Sequence, residues 1–170
     1  MVRAKRSVDA HIKRSGIDYT ILQPSFFMES WLGPMLFADP AAGTAKVYGD
    51  GDPKFRYVAV GDVAEVAVRS LDSTAARNAE IPFGGPEPVS QREAVKVFEE
   101  VFGKPFSVTQ VPNSALEAQW KAAADPVSQS FSALMLGLSR GVAAGAELSR
   151  EDFPVRLTSV REFAEQLKRR

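Results

Sequence analysis

An apolar run without alternation, cut off by a proline, sets the strongest limit on how this chain folds. Tyr19-Thr20-Ile21-Leu22 places aromatic, β-branched and aliphatic residues in succession. A strand with one solvated face alternates. A run that does not alternate suits a strand covered on both faces, the usual state of a parallel strand. Gln23-Pro24 is expected to end it, because proline has no N–H for the sheet ladder. Ligands of open α/β sheets bind just past the carboxyl ends of strands. Pro24, Ser25, Phe26 and Phe27 stand at that point, with Trp31 completing an aromatic shelf. The competing reading is that Phe26, Phe27 and Trp31 are ordinary core.

The segment before the strand reads as a helix over Val2 to Ser15, with Val8 and Ile12 on its buried face and Gly16 as terminator. A helix feeding a parallel strand is the second half of a strand–helix–strand unit. The first strand of that unit is expected to be missing.

Further along, Met28 to Phe37 reads as a helix interrupted at Gly33-Pro34. Ala45 to Tyr48 and Phe55 to Val60 read as short strands joined by a Gly49–Pro53 turn, a loose hairpin. Asp62 is expected to cap a helix whose stripe is Val63, Val66, Ala67 and Leu71. Ala79 to Phe83 reads as a strand broken by Gly84-Gly85-Pro86. Ser90-Gln-Arg-Glu93 is a capping box ahead of Val95, Phe98 and Phe102, closed by Gly103. A strand over Phe106 to Val111 follows. Asn113 is expected to cap a helix with Leu116, Trp120 and Ala123 inward. After Asp125-Pro126 a longer helix carries Phe131, Leu134, Met135, Leu138 and Val142 at helical spacing. There Gly137, Gly141 and Gly145 recur every four residues, a pattern of close helix packing or of a loosely ordered lid. Thr158 is expected to cap the last helix, through Val160, Phe163 and Leu167.

Composition narrows the function classes. With 45% apolar and 25% charged residues, 170 residues make one globular domain with a real core. Lys plus Arg equals Asp plus Glu at 21 each, which argues against nucleic acid or an acidic membrane as partner. Cysteine is absent, so disulfides and thiolate chemistry are excluded, in keeping with a cytoplasmic setting. No apolar run reaches the roughly 18 residues of a membrane span. The one histidine, His11, has no second ligand nearby, and no metal site is expected. Neither Gly-x-Gly-x-x-Gly nor a phosphate loop occurs.

The string from Lys5 to Glu29, with Ser15-Gly16-Ile17-Asp18-Tyr19-Thr20-Ile21-Leu22-Gln23-Pro24 at its centre, closely resembles the NmrA-like family of atypical short-chain dehydrogenase/reductases. Tyr57 to Ala64, Gly85 to Ser90 and Phe153 to Phe163 resemble later family segments in order. The resemblance implies an α/β fold, the back part of a Rossmann-like doubly wound parallel sheet plus a smaller α/β substrate lobe. Residues 1–30 would hold the last units of the dinucleotide-binding fold and 31–170 mainly the substrate lobe and closing helices. The glycine-rich cofactor half would precede Lys5.

The implied chemistry is oxidoreduction of a small organic substrate with NADP or NAD, bound weakly or not at all by this chain alone. Lys5 aligns with the lysine near the nicotinamide ribose, and is the candidate catalytic residue. Lys5, Pro24, Ser25, Phe26 and Phe27 are the candidate cofactor contacts; Met28, Trp31 and Tyr57 are the candidate substrate pocket. The tyrosine of the Tyr-x-x-x-Lys pair would stand at position 1, which is Met1; Gln23 and Ser30 depart from the family's arginine and asparagine. A regulatory, redox-sensing dinucleotide binder and an inactive fragment needing a partner are the alternative readings. The open edge of the strand points to self-association.

Overall fold

The computed structural model describes residues 2–141, 146–149 and 151–169. Two layers share the chain. The first is a parallel pair, β1 (Thr20–Pro24) and β7 (Ala79–Phe83), preceded by helix α1 (Val2–Arg14). Helix α3 (Val60–Ser70) and a 3-10 turn at Thr74–Ala76 cover one of its faces. Val58, Val66, Ala76, Ile81 and Phe83 form the core here, joined by Leu148, Phe153 and Val155 from the returning chain.

The second layer is a three-stranded sheet in the order β3 (Ala38–Asp39), β4 (Thr44–Tyr48), β9 (Ser107–Val111). Helices α2 (Met28–Trp31), α4 (Gln91–Phe102) and α7 (Val160–Lys168) pack into its core around Phe37, Val47, Phe55, Phe98 and Phe163. Two small ladders connect the layers. β2 (Phe26–Phe27) runs parallel to β6 (Tyr57–Val58), and β5 (Lys54–Phe55) antiparallel to β8 (Val89–Ser90). Helices α5 (Asn113–Ala122) and α6 (Pro126–Ser139) pair over Leu116 and Met135. The fold is therefore mixed α/β with parallel pairing, as the resemblance implies. Because β1 lies beside β7, its layer draws residues from both sides of position 30.

Several local expectations give way to tertiary structure. β1 continues through Pro24 rather than stopping at Gln23. The Tyr19 carbonyl accepts from Asn78 N–H, and Ser25 N–H donates to Phe83, so odd-numbered residues face β7. Pro24 faces the other edge, where its missing N–H breaks no bond of this ladder. The Phe55–Val60 run does not form a hairpin with β4. Its alternation serves two ladders, β5 against β8 and β6 against β2. The helix at Met28 stops at Trp31, because the chain turns back on the Gly33 carbonyl, which accepts from Phe37 and Ala38.

Three caps also move. Helix α3 begins at Val60, before Asp62; the Asp62 carboxylate instead accepts from Thr158 N–H at 2.7 Å and from its hydroxyl at 2.8 Å. Thr158 is thereby occupied, and Ser159 caps α7 through a capping box with Glu162. Pro112, not Asn113, precedes the first residue of α5. The Ser90–Glu93 capping box and the left-handed Gly103 stop of α4 are as expected. Val8 is 57% exposed rather than buried, and Trp120, Phe131 and Leu134 are also exposed. Val142 and Gly145 lie outside the described residues.

Candidate functional site

The carboxyl ends of one parallel pair, β1 and β7, meet the amino ends of a second, β2 and β6. β1 ends at Pro24, and the chain steps sideways through Ser25 into β2, beside β6. Ser25 N–H donates to the Phe83 carbonyl at 2.8 Å, which ties the step to the end of β7. Past Phe83 come Gly84 and Gly85. A Cβ on Gly85 would overlap the Tyr57 carbonyl oxygen, and one on Gly84 would overlap Arg56. Only glycine lets the end of β7 lie directly against β6.

Arg56 clamps this crossing. Its guanidinium donates to the Gly85 carbonyl at 3.2 Å and the Pro86 carbonyl at 2.9 Å, and pairs with Glu147 at 3.1 Å. Gly84 N–H donates to the Ala146 carbonyl, so the returning chain also crosses the strand ends.

Among the described residues, one polar atom at this place has no partner: the Ser25 hydroxyl oxygen is buried and makes no hydrogen bond to them. Leaving a buried hydroxyl unpaired costs about 1–3 kcal/mol. A bound polar group would remove that cost, so Ser25 fits the donor or acceptor end of a ligand at the strand ends.

Next to Ser25 along the chain, Phe26 packs among other aromatic rings. The Phe26 ring lies 4.8 Å from Trp31, 5.0 Å from Phe55 and 6.3 Å from Tyr57, centroid to centroid. Phe27 faces the other way and packs on the core under β7. Met28 and Tyr57 are 1% and 2% exposed, so most of their surface is spent on packing. Burial pushes the Tyr57 phenol well above its ordinary range. Trp31 and Phe26 remain half-buried.

Lys5 stands apart. It is exposed on α1 and makes no hydrogen bond or ion pair among the described residues, whereas Lys13 on the same helix pairs with Glu80 of β7 at 2.5 Å. Met1, at the expected tyrosine position, lies outside the described residues. A groove of about 650 Å³ opens at the opposite, amino-terminal end of β1, between Thr20 and Leu71, away from the aromatic shelf.

Sequence reasoning passed over three features here. Arg56 sat in an alternating strand pattern, and Gly84-Gly85 read only as a breaker. The third, Glu29, accepts from Val60 N–H with both carboxylate oxygens, at 3.0 and 3.2 Å. It thus fills the positive amino-terminal end of α3, a place where a phosphate would otherwise be favoured.

No protein-family model matches the chain. Among curated proteins, it is 30% identical over 149 residues to an isoflavone reductase homolog of Zea mays, covering 85% of this chain and 48% of that protein. It is 29% identical over 143 residues to agroclavine dehydrogenase of Claviceps fusiformis, covering 82% and 49%. The chain thus spans about half the length of the curated relatives it matches. The NADPH-bound leucoanthocyanidin reductase of Vitis vinifera superposes with a TM-score of 0.80 at 19% identity, over 99% of this chain and 58% of that one. An NADPH-dependent quinone oxidoreductase from Escherichia coli gives 0.73 at 19%, over 96% and 60%. The chain therefore has the Rossmann-like fold of these reductases over the part it spans, and its curated relatives include dehydrogenases and reductases.

Proposed function

We propose that this chain is the part of an NmrA-like, NADP-dependent oxidoreductase that seats the nicotinamide end of the cofactor and a small organic substrate past the carboxyl ends of β1 and β7. The observation that carries the proposal is the buried Ser25 hydroxyl at that point, unpartnered among the described residues. Bound NADPH would supply a hydride.

The residues present do the positioning. Ser25 and the backbone of Pro24 to Phe27 hold a polar group of the cofactor ring. Phe26 and Trp31 wall the site and exclude water. Met28 and Tyr57, both buried, back that wall. Lys5, exposed on α1, offers a cation and hydrogen-bond donor to the ribose. The sequence has no glycine-rich phosphate turn, and Glu29 occupies the α3 amino terminus. The chain on its own is therefore a weak binder that grips one end of the cofactor.

Saturation-transfer NMR of the chain with millimolar NADPH tests this. The nicotinamide protons are expected to receive saturation and the adenine protons far less, with the nicotinamide signal reduced several-fold in Ser25→Ala. Saturation led by the adenine ring, or none, would contradict the assignment.

A further inference from the structure

The returning chain crosses the strand ends at Ala146 to Ser149. Leu148 is 4% exposed and shares a core cluster with Val58 and Phe83, with Phe27 packed against it. This anchors the stretch to the core under β7. Two polar links then join it to the crossing among the described residues. Gly84 N–H donates to the Ala146 carbonyl at 2.8 Å, and the Arg56 guanidinium pairs with the Glu147 carboxylate at 3.1 Å. Its other bonds among the described residues stay within the turn, where Ser149 accepts from Asp152 N–H and Phe153 N–H.

The two partners of the ion pair differ in freedom. The Arg56 side chain is 17% exposed, and its bonds to the Gly85 and Pro86 carbonyls fix it to the crossing. The Glu147 side chain is 67% exposed. A planar guanidinium can hold a carboxylate through two parallel bonds; here it makes one, to Oε2. The pair is therefore a fastening that lets go from the Glu147 side. What it fastens lies next to Ser25, because Phe83, whose carbonyl accepts from Ser25 N–H, is followed directly by Gly84.

We propose that Ala146–Ser149 is a strap over the carboxyl ends of β1 and β7, with the Arg56–Glu147 pair as its latch. With the latch made, Ala146 stays on Gly84 and the strand ends are closed. When it breaks, Ala146 and Glu147 lift away about Leu148, and Gly84 N–H is left to water. An ion pair with one exposed partner weakens as salt is added, so the strap opens more often at high ionic strength. As a gate to the Ser25 site the strap rests on the cofactor reading above; as a latch it does not.

The test is amide exchange at Gly84, followed by NMR in the 170-residue chain. Exchange of a locally protected amide scales with the population of the open form, so Gly84 reads the strap directly. Glu147→Ala is expected to speed it about three- to fivefold, with the Ser25 amide and the thermal melt unchanged. Molar sodium chloride is expected to bring the wild type to the rate of the variant and to move the variant little. Equal Gly84 rates in the two proteins, or an equal acceleration at Ser25, overturns the latch. Millimolar NADPH tests the gate, and is expected to slow Gly84 together with Phe26 and Phe27. Slowing at Phe26 and Phe27 but not at Gly84 overturns the gate. Acceleration of Gly84 in Glu147→Ala with no slowing by NADPH at any of the three supports the latch and contradicts the cofactor reading.

Discussion

Helices α1 and α4 are of nearly equal length and both carry an apolar stripe, yet they end differently. α4 buries Ala94, Val95 and Phe98 completely or nearly so, with a capping box at one end and a left-handed glycine at the other. α1 leaves Val8 largely exposed, has no acidic residue in its first turn, and is held to β7 by the Lys13–Glu80 pair. The same contrast runs through the sheets. The β4 strand alternates buried and exposed residues beneath α4, while β1 is only half-buried along its apolar run. An amphipathic pattern specifies which face of an element seeks cover. Whether cover is found depends on the layers that surround it.

The largest expected effect sharpens this contrast. Phe98→Ala opens a cavity in the fully buried core and is expected to cost about 3–5 kcal/mol; Val8→Ala on α1 is expected to stay within about 0.5 kcal/mol. Equal losses in chemical denaturation would break the comparison. Next comes the joint between the layers. Gly85→Ala drives a methyl group into the Tyr57 carbonyl and is expected to cost about 3 kcal/mol, read in the same way.

Asp62→Ala leaves the half-buried Thr158 N–H without its acceptor, at about 1 kcal/mol. The predicted readout is a lower midpoint with the helical circular dichroism of the rest retained. The smallest effect is on pH dependence. The Lys54 side chain and Ser90 N–H hold the Glu93 carboxyl below the usual carboxylate range, and Ser159 holds Glu162 below it too. A depressed folded pKa adds stability above the unfolded value, and that stability is lost as pH falls through the folded value. The α4 and α7 caps are therefore expected to weaken on acidification below the ordinary carboxylate range. Glu93→Gln and Glu162→Gln should flatten that limb of a melt-versus-pH profile.

How much of this was legible in the sequence follows from the range of the interactions. The Ser90–Glu93 box, the Gly103 stop and the strands around Thr20–Leu22, Ala45–Tyr48 and Ala79–Phe83 rest on local chemistry, and reading a few residues finds them, though not that the first runs on through Pro24. Asp62, Thr158 and Glu29 defeated local reading because their partners lie far along the chain. A carboxylate three residues into a helix looks like a cap until Thr158 arrives to claim it. At the candidate site the aromatic shelf was legible as composition. Its geometry, and the Arg56 and Gly85 contacts that join β6 to β7, depend on a crossing that no single segment encodes.

The most direct test of the account is amide hydrogen exchange with and without millimolar NADPH. Added protection is expected at Phe26 and Phe27 and at the end of β7, while α4, capped at both ends and packed on the core, is expected to stay unchanged. Protection confined to the groove at Thr20 and Leu71, or none at the strand ends, would contradict the placement of the cofactor site.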